Sequence, residues 1–189
     1  MQNSPFKKYI FETSAPYCCV ACLLQIIINT EFSISYGQIH IADSFGVHVP
    51  EDYKGSINNT HITNDPNLFG IILTSNAINI FFSGNNIALK ERYYSISLFE
   101  DWMFENKIQQ ELNNSSHIIV GYDYGALNDK PEFNTIGHVS LIVNFDTASH
   151  IVTIFDPGPD KPGIKKVKTY DLFRAIKKKK DGLWCISRM

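Results

Sequence analysis

Three cysteines stand at one end of a strongly apolar run, Tyr17-Cys18-Cys19-Val20-Ala21-Cys22-Leu23-Leu24-Gln25-Ile26-Ile27-Ile28. Between Cys18 and Ile28 only Gln25 is strongly polar, and a helix apolar all round belongs in a protein interior. A cysteine at the start of such a helix faces unpaired N–H groups and the positive end of the helix dipole, which favour thiolate over thiol. The chemistry this suggests is nucleophilic attack by Cys18 or Cys19. A thiol nucleophile needs a base to take its proton and a group to orient that base.

Six histidines could be the base. His40 falls on an expected helix, His48 and His61 in polar loops, His117 at the start of a strand and His150 in a hairpin turn. His138 differs. It follows Gly137 at the head of an apolar strand, just after a polar loop. Asp156 ends the next strand, in Phe155-Asp156-Pro157-Gly158. The start of one strand and the end of its antiparallel partner are neighbours, so His138 and Asp156 are expected within side-chain reach. Taken singly, Cys18 and Cys22 read as small buried hydrophobes and Asp-Pro-Gly as a turn. Together the three positions form a pattern that packing and turn chemistry do not predict. Zinc held by Cys18, Cys19, Cys22 and a histidine is a competing use. No second cysteine or histidine pair completes such a site, so neither a metal nor another cofactor is expected.

The elements that must position these groups can be read in order. Residues 1 to 16 look extended, and Pro16, with Ser14 or Thr13 as cap, suits the opening of the cysteine helix. Ser35 can cap a second helix, Tyr36 to Phe45, ended by Gly46. Val47 to Asn64 is polar and turn-rich, and reads as surface loop. Asp65-Pro66 opens a helix toward Ile78, and Ile80 to Leu89 suggests a hairpin or loop. Ser97-Leu98-Phe99-Glu100 has capping-box spacing, and Phe99, Trp102, Met103, Ile108 and Leu112 mark the buried side of the helix that follows. From His117 the pattern becomes β: strands over 117–124, 137–145 and 151–155, the last two joined at 146–149, then 164–167 and 183–187, with a short helix over 170–179. Helices first and an antiparallel sheet second is an α+β arrangement.

A chain of 189 residues fits one domain, or two small lobes sharing a cleft, and 44% hydrophobic with 19% charged residues is ordinary for a globular protein. A net charge of −2 gives no global pull toward nucleic acid. Lys177 to Lys180, with Lys165, Lys166 and Lys168 upstream, read as a solvated, dipole-matched helix end. Apolar runs fall far short of the ~20 residues a membrane span needs. Residues 1–8 precede no continuous apolar segment, so no secretory signal is expected and a reducing cytoplasm is the expected location.

Cys18-Cys19-Val20-Ala21-Cys22-Leu23, Ile118-Ile119-Val120-Gly121-Tyr122-Asp123-Tyr124, Gly137-His138-Val139-Ser140-Leu141-Ile142-Val143 and Ile154-Phe155-Asp156-Pro157 follow one another in an order that resembles the papain-like cysteine peptidases. The resemblance is to the bacterial branch that includes bacteriocin-leader-processing peptidases. It implies a single papain-like α+β domain over residues 1–189. A helical part, about 1–115, would hold the central buried helix packed on an antiparallel sheet part, about 116–189. It implies a Cys-His-Asp triad of Cys18, His138 and Asp156, with Cys19 as alternative nucleophile and Cys22 a packing residue. The implied function is a thiol hydrolase cleaving a peptide or amide bond, or an acyltransferase or transpeptidase of the same fold. The backbone N–H of Cys18 would help bind the oxyanion, and 47–64 and 125–135 would wall the cleft.

Two positions depart from the family pattern. Such enzymes carry a Gln about six residues before the nucleophile as oxyanion donor. Here Glu12 stands six before Cys18 and Thr13 six before Cys19, with Gln2 and Asn3 as more distant donors. An ionised Glu12 would repel a developing oxyanion, whereas a protonated one could donate to it. Cys19 also stands where the family commonly has Gly. A peptidase-shaped binding or biosynthetic accessory protein, impaired in hydrolysis, is therefore the alternative expectation. The sequence leaves the oligomeric state open.

Overall fold

The cysteine-containing run folds as expected into a buried helix, α1 (Cys19–Phe32), in which every residue from Val20 to Ile28 is buried, Gln25 included. The start differs from expectation. Cys18 is the N-cap, with no side-chain cap, and Pro16 lies ahead of the helix. A turn closed by the Cys18 N–H on the Ala15 carbonyl (3.0 Å) precedes it, so neither Ser14 nor Thr13 is placed to cap. This computed structural model describes residues 9–74, 76–133, 136–158 and 161–189. Gln2, Asn3, Asn134 and Thr135 lie outside them. The described residues group into two compact units, here called helical (Lys8–Leu89 with Pro157–Gly163) and sheet (including Lys90–Asp156 and Ile164–Met189).

In the helical unit α1 packs on α2 (Gln38–Phe45), which starts two residues later than expected, with Gly37 rather than Ser35 at its N-cap. Gly46 ends it at φ +77, where a side chain would be strained. Val47 to Asn64 is not simply surface loop. It contains β1 (Val47–Val49) and β2 (Thr60–Ile62), a parallel pair with Val47 and Val49 buried. Two alternating valines are enough to bury one face of a short strand, although the surrounding residues are polar. Asp65 does cap Asn67, but only a single 3-10 turn, Pro66–Leu68, follows. The helix lies later, at α3 (Ala77–Gly84), where hairpin or loop had been expected beyond Ile80.

The sheet unit is a six-stranded antiparallel sheet in the order β3-β8-β4-β5-β6-β7: β3 (Leu89–Ser95), β4 (His117–Asp123), β5 (Gly137–Asp146), β6 (Ile151–Asp156), β7 (Gly163–Lys168) and β8 (Gly182–Arg188). Its helices, α4 (Asp101–Asn113) and α6 (Thr169–Lys179), cover one face. Phe104 and Ile108 of α4 and Leu172, Phe173 and Ile176 of α6 pack there on Ile118, Val120, Ile154 and Leu183. The buried side of α4 is therefore Phe104, Ile108 and Glu111, while Trp102 is 63% exposed. Glu111 can be buried because Lys107 (2.7 Å), Ser116 (2.7 Å) and Arg92 (3.5 Å) satisfy its carboxylate. Ser97 caps nothing on α4. The cap used is Ser95, on a 3-10 turn at Ile96–Leu98. Residues after β4 form a short α5 (Tyr124–Leu127) capped by Asp123, and a 3-10 turn at Pro131–Phe133.

Between α6 and β8, burial pushes the Asp181 carboxyl up to about 6, against the opposing pull of the Gly182 N–H, Lys179 and the Tyr93 hydroxyl. The folded form thus binds this proton more tightly than the unfolded chain does. Its contribution to stability is greatest below about pH 4 and declines as pH rises through about 6. Relative to the parent, Asp181→Asn should gain ~1–2 kcal/mol between pH 4 and pH 7, because Asn keeps an acceptor for Gly182 and never ionises. Urea unfolding of both proteins at the two pH values measures this. An unchanged difference would refute it.

Candidate active site

The hairpin of β5 and β6 is in register at Leu141 with Phe155, with a bulge between Ile142 and Asn144. That pairing carries Asp156 back alongside the start of β5. His138 Nε2 lies 2.7 Å from Asp156 Oδ1. The two side chains are 12% and 2% exposed, so bulk water competes little for the bond. Two rings stand edge-on to the imidazole: Tyr122, its cross-strand partner, at 5.7 Å between centroids, and Tyr124 of α5 at 5.4 Å. Tyr122 is itself fixed by a hydroxyl bond with Ser140 (2.8 Å). Asp156 Oδ2 accepts from a second donor, the Lys165 Nζ of β7. The carboxylate is thus bound on both oxygens.

Cys18 lies in the helical unit, at the N-cap of α1. Tyr17, just before it, adopts φ +65, an uncommon conformation for a bulky residue, with its ring edge-on to Tyr53 (5.8 Å) and Phe69 (5.4 Å). The approach to Cys18 is held by Gln38, which accepts from the Ala15 N–H (2.9 Å) and donates to the Thr13 carbonyl (3.2 Å). The Ser14 N–H donates to the Pro157 carbonyl (2.8 Å). Burial, then the neighbouring Cys19 and Asp43, push the Cys18 thiol up to about 11. The helix-terminus expectation of a ready thiolate is thus outweighed by desolvation. Cys22 is pushed further, to about 12, by burial and then Glu12, and its Sγ donates to the Glu12 carbonyl (3.3 Å).

The oxyanion candidates are placed as follows. Glu12 Oε2 accepts from Gln25 Nε2 (2.7 Å), one helix residue whose polarity the apolar run made conspicuous. Thr13 is exposed, and its carbonyl is the acceptor used by Gln38. The Cys18 N–H is bonded to Ala15, not left open. Among the described residues no group of three or more His, Cys, Asp or Glu could hold a metal ion.

No family model and no curated protein matches the chain. Among solved structures, a protein from Bacillus anthracis described as a "putative C39-like peptidase" matches with a TM-score of 0.59 at 11% identity, covering 99% of this chain and 96% of that one. The fold is papain-like. Three side chains that hold these segments, Gln38, Gln25 and Lys165, are not marked as such by the sequence. Gln38 and Gln25 act through hydrogen bonds to residues remote in sequence, which no spacing rule marks. Lys165 could have been found, because period-2 alternation puts it on the same, less exposed face of β7 as Val167. No helix among the described residues is long and apolar enough to cross a membrane.

Proposed function

We propose that the chain is a single papain-like thiol hydrolase domain that cleaves a peptide or amide bond with Cys18 as nucleophile, His138 as base and Asp156 as orienter. The observation that carries this reading is the buried 2.7 Å bond between His138 Nε2 and Asp156 Oδ1. The bond holds the imidazole through Nε2, and in this reading Nδ1 takes the thiol proton. Cys18 Sγ then attacks the carbonyl carbon, and the carbonyl π electrons move to oxygen. The imidazolium returns its proton to the leaving amine as the C–N bond breaks, and water releases the acyl group by the same base. An amine in place of that water would make the protein a transferase. The four cysteines are free, which suits a reducing cytoplasm and a working thiol.

A buried thiol near 11 would have roughly one part in 10⁴ thiolate at pH 7, against a few per cent for a free cysteine. Alkylation of Cys18 by iodoacetamide faster than that of free cysteine therefore requires a base. The expected result is selective labelling of Cys18 over Cys19 and Cys22, read by peptide mass spectrometry, and loss of peptide-library cleavage in Cys18→Ala. Labelling no faster than free thiol, together with unchanged cleavage in Cys18→Ala, would overturn the reading.

Two observations favour a second reading, an impaired accessory protein of the same fold. Glu12 is engaged as an acceptor by Gln25, and the Cys18 N–H is bonded to Ala15. Neither is then offered to an oxyanion. A protein that labels at Cys18 yet turns over no peptide is the outcome this reading expects.

A further inference from the structure

We propose that Lys165 is a positioning residue for the His138–Asp156 pair, a clamp that keeps Asp156 ionised, fixes the direction of Oδ1 and weakens the pair's hold on its proton. The inference rests on the thiol-hydrolase reading for its role in catalysis, although the electrostatic coupling itself does not. Asp156 has two oxygens, and each has a cationic or protonatable partner: Oδ1 meets His138 Nε2, and Oδ2 meets Lys165 Nζ. A buried carboxylate with only a neutral imidazole beside it is costly, and it would tend to hold a proton. Lys165 removes that tendency. Bound on both oxygens, the carboxylate also loses freedom to rotate, so Oδ1 stays aimed at the imidazole.

The sign of the effect on the pair is fixed by charge. With Lys165 present, adding a proton to His138–Asp156 takes the three groups from net zero to +1. Without Lys165 it takes the pair from −1 to zero, which is easier wherever the proton resides. The clamp therefore lowers the pair's apparent pKa and leaves His138 neutral, able to accept a thiol proton, at lower pH. Other charged or titratable groups of the sheet unit meet this hairpin at both ends, with Asp146 and the His150–Glu105 pair (3.0 Å) at the turn end. Tyr122 and Tyr124 present ring edges to the imidazole. Asp123, opposite Gly137 in the ladder, receives the Ala126 N–H and lies 3.7 Å from Lys178. Lys179 lies against Gly137, where an added Cβ would fall 2.7 Å from its Cε. Lys165 bonds Asp156 directly, so its removal changes the charge balance of that carboxylate directly.

The test is the titration of His138 followed by the NMR signal of its Cε1 proton, assigned with His138→Gln, in the parent, Lys165→Met and Lys165→Arg. Lys165→Met should raise the apparent pKa of the pair by about 1 unit, and Lys165→Arg should restore it. A merely structural lysine would alter stability without moving that titration. If Lys165→Met does not fold, Lys165→Gln, which keeps a neutral donor for Oδ2, carries the same expectation. An unchanged or lowered pKa in the uncharged variant overturns the clamp. The measurement needs no substrate, so the two proposals fail separately. A raised pKa with cleavage indifferent to Cys18→Ala overturns the hydrolase reading alone. An unmoved pKa with Cys18-dependent cleavage overturns the clamp alone.

Discussion

His138→Ala is expected to lower peptide cleavage by about 10²–10⁴-fold, the contribution typical of a positioned general base. The physical reason is stronger here than for an exposed cysteine. Burial holds the Cys18 thiol near 11, so without a base the nucleophile is essentially absent at neutral pH. The deficit should therefore shrink as pH rises toward 10, where hydroxide begins to do the work of the imidazole. Asp156→Asn should cost less, because an amide still orients Nε2 although it no longer stabilises an imidazolium. Rates of parent and variants at pH 7 and pH 10 check both statements. Cleavage by His138→Ala within a fewfold of the parent at pH 7 would remove His138 from the mechanism.

How much of this was legible in the residues depended on the range of the interactions involved. The His138–Asp156 bond could be anticipated because a hairpin converts sequence separation into proximity by simple counting, and the short 146–149 turn leaves little choice of register. The buried helix could be anticipated because only one strongly polar residue interrupts it. Its start could not. Proline two residues ahead of Cys18 looks like a first-turn residue, yet Tyr17 turns left-handed at φ +65 and postpones the helix. That conformation is held by ring contacts with Tyr53 and Phe69, remote in sequence and invisible to local propensity. The burial of Glu111 is likewise not marked by its residue type. A glutamate reads as surface until Lys107 one turn earlier, Ser116 five residues later and Arg92 of β3 satisfy it together. The thiol's pKa is a third case. The helix terminus is a local feature and favours thiolate, but burial is a tertiary one and prevails.

The glycine after the lysine run shows the same contrast and supports the second large prediction. The lysine run reads as a helix end. The stop is in fact made by Lys180, left-handed at φ +59, whose N–H returns to Ile176 and Lys177. Gly182 has a different task. It opens β8 where β3 approaches so closely that an added Cβ would lie 2.1 Å from the Tyr94 carbonyl oxygen and 3.0 Å from the Tyr93 ring. The obstacle is backbone, so relief requires β3 to move, and with it the Ile96 N–H bond to the Asp181 carbonyl (2.9 Å). Gly182→Ala should therefore cost about 3 kcal/mol, a large part of the stability of an ordinary domain. Gly84, the last residue of α3, is the comparison, because nothing lies within 4 Å of its added Cβ. Gly84→Ala should be neutral or stabilising by up to ~1 kcal/mol, as a methyl group reduces the freedom of the unfolded chain. Urea unfolding of the two alanine variants separates the effects. Equal midpoints would mean that β3 can yield at Gly182, and that the close approach of the two strands is not what requires glycine there.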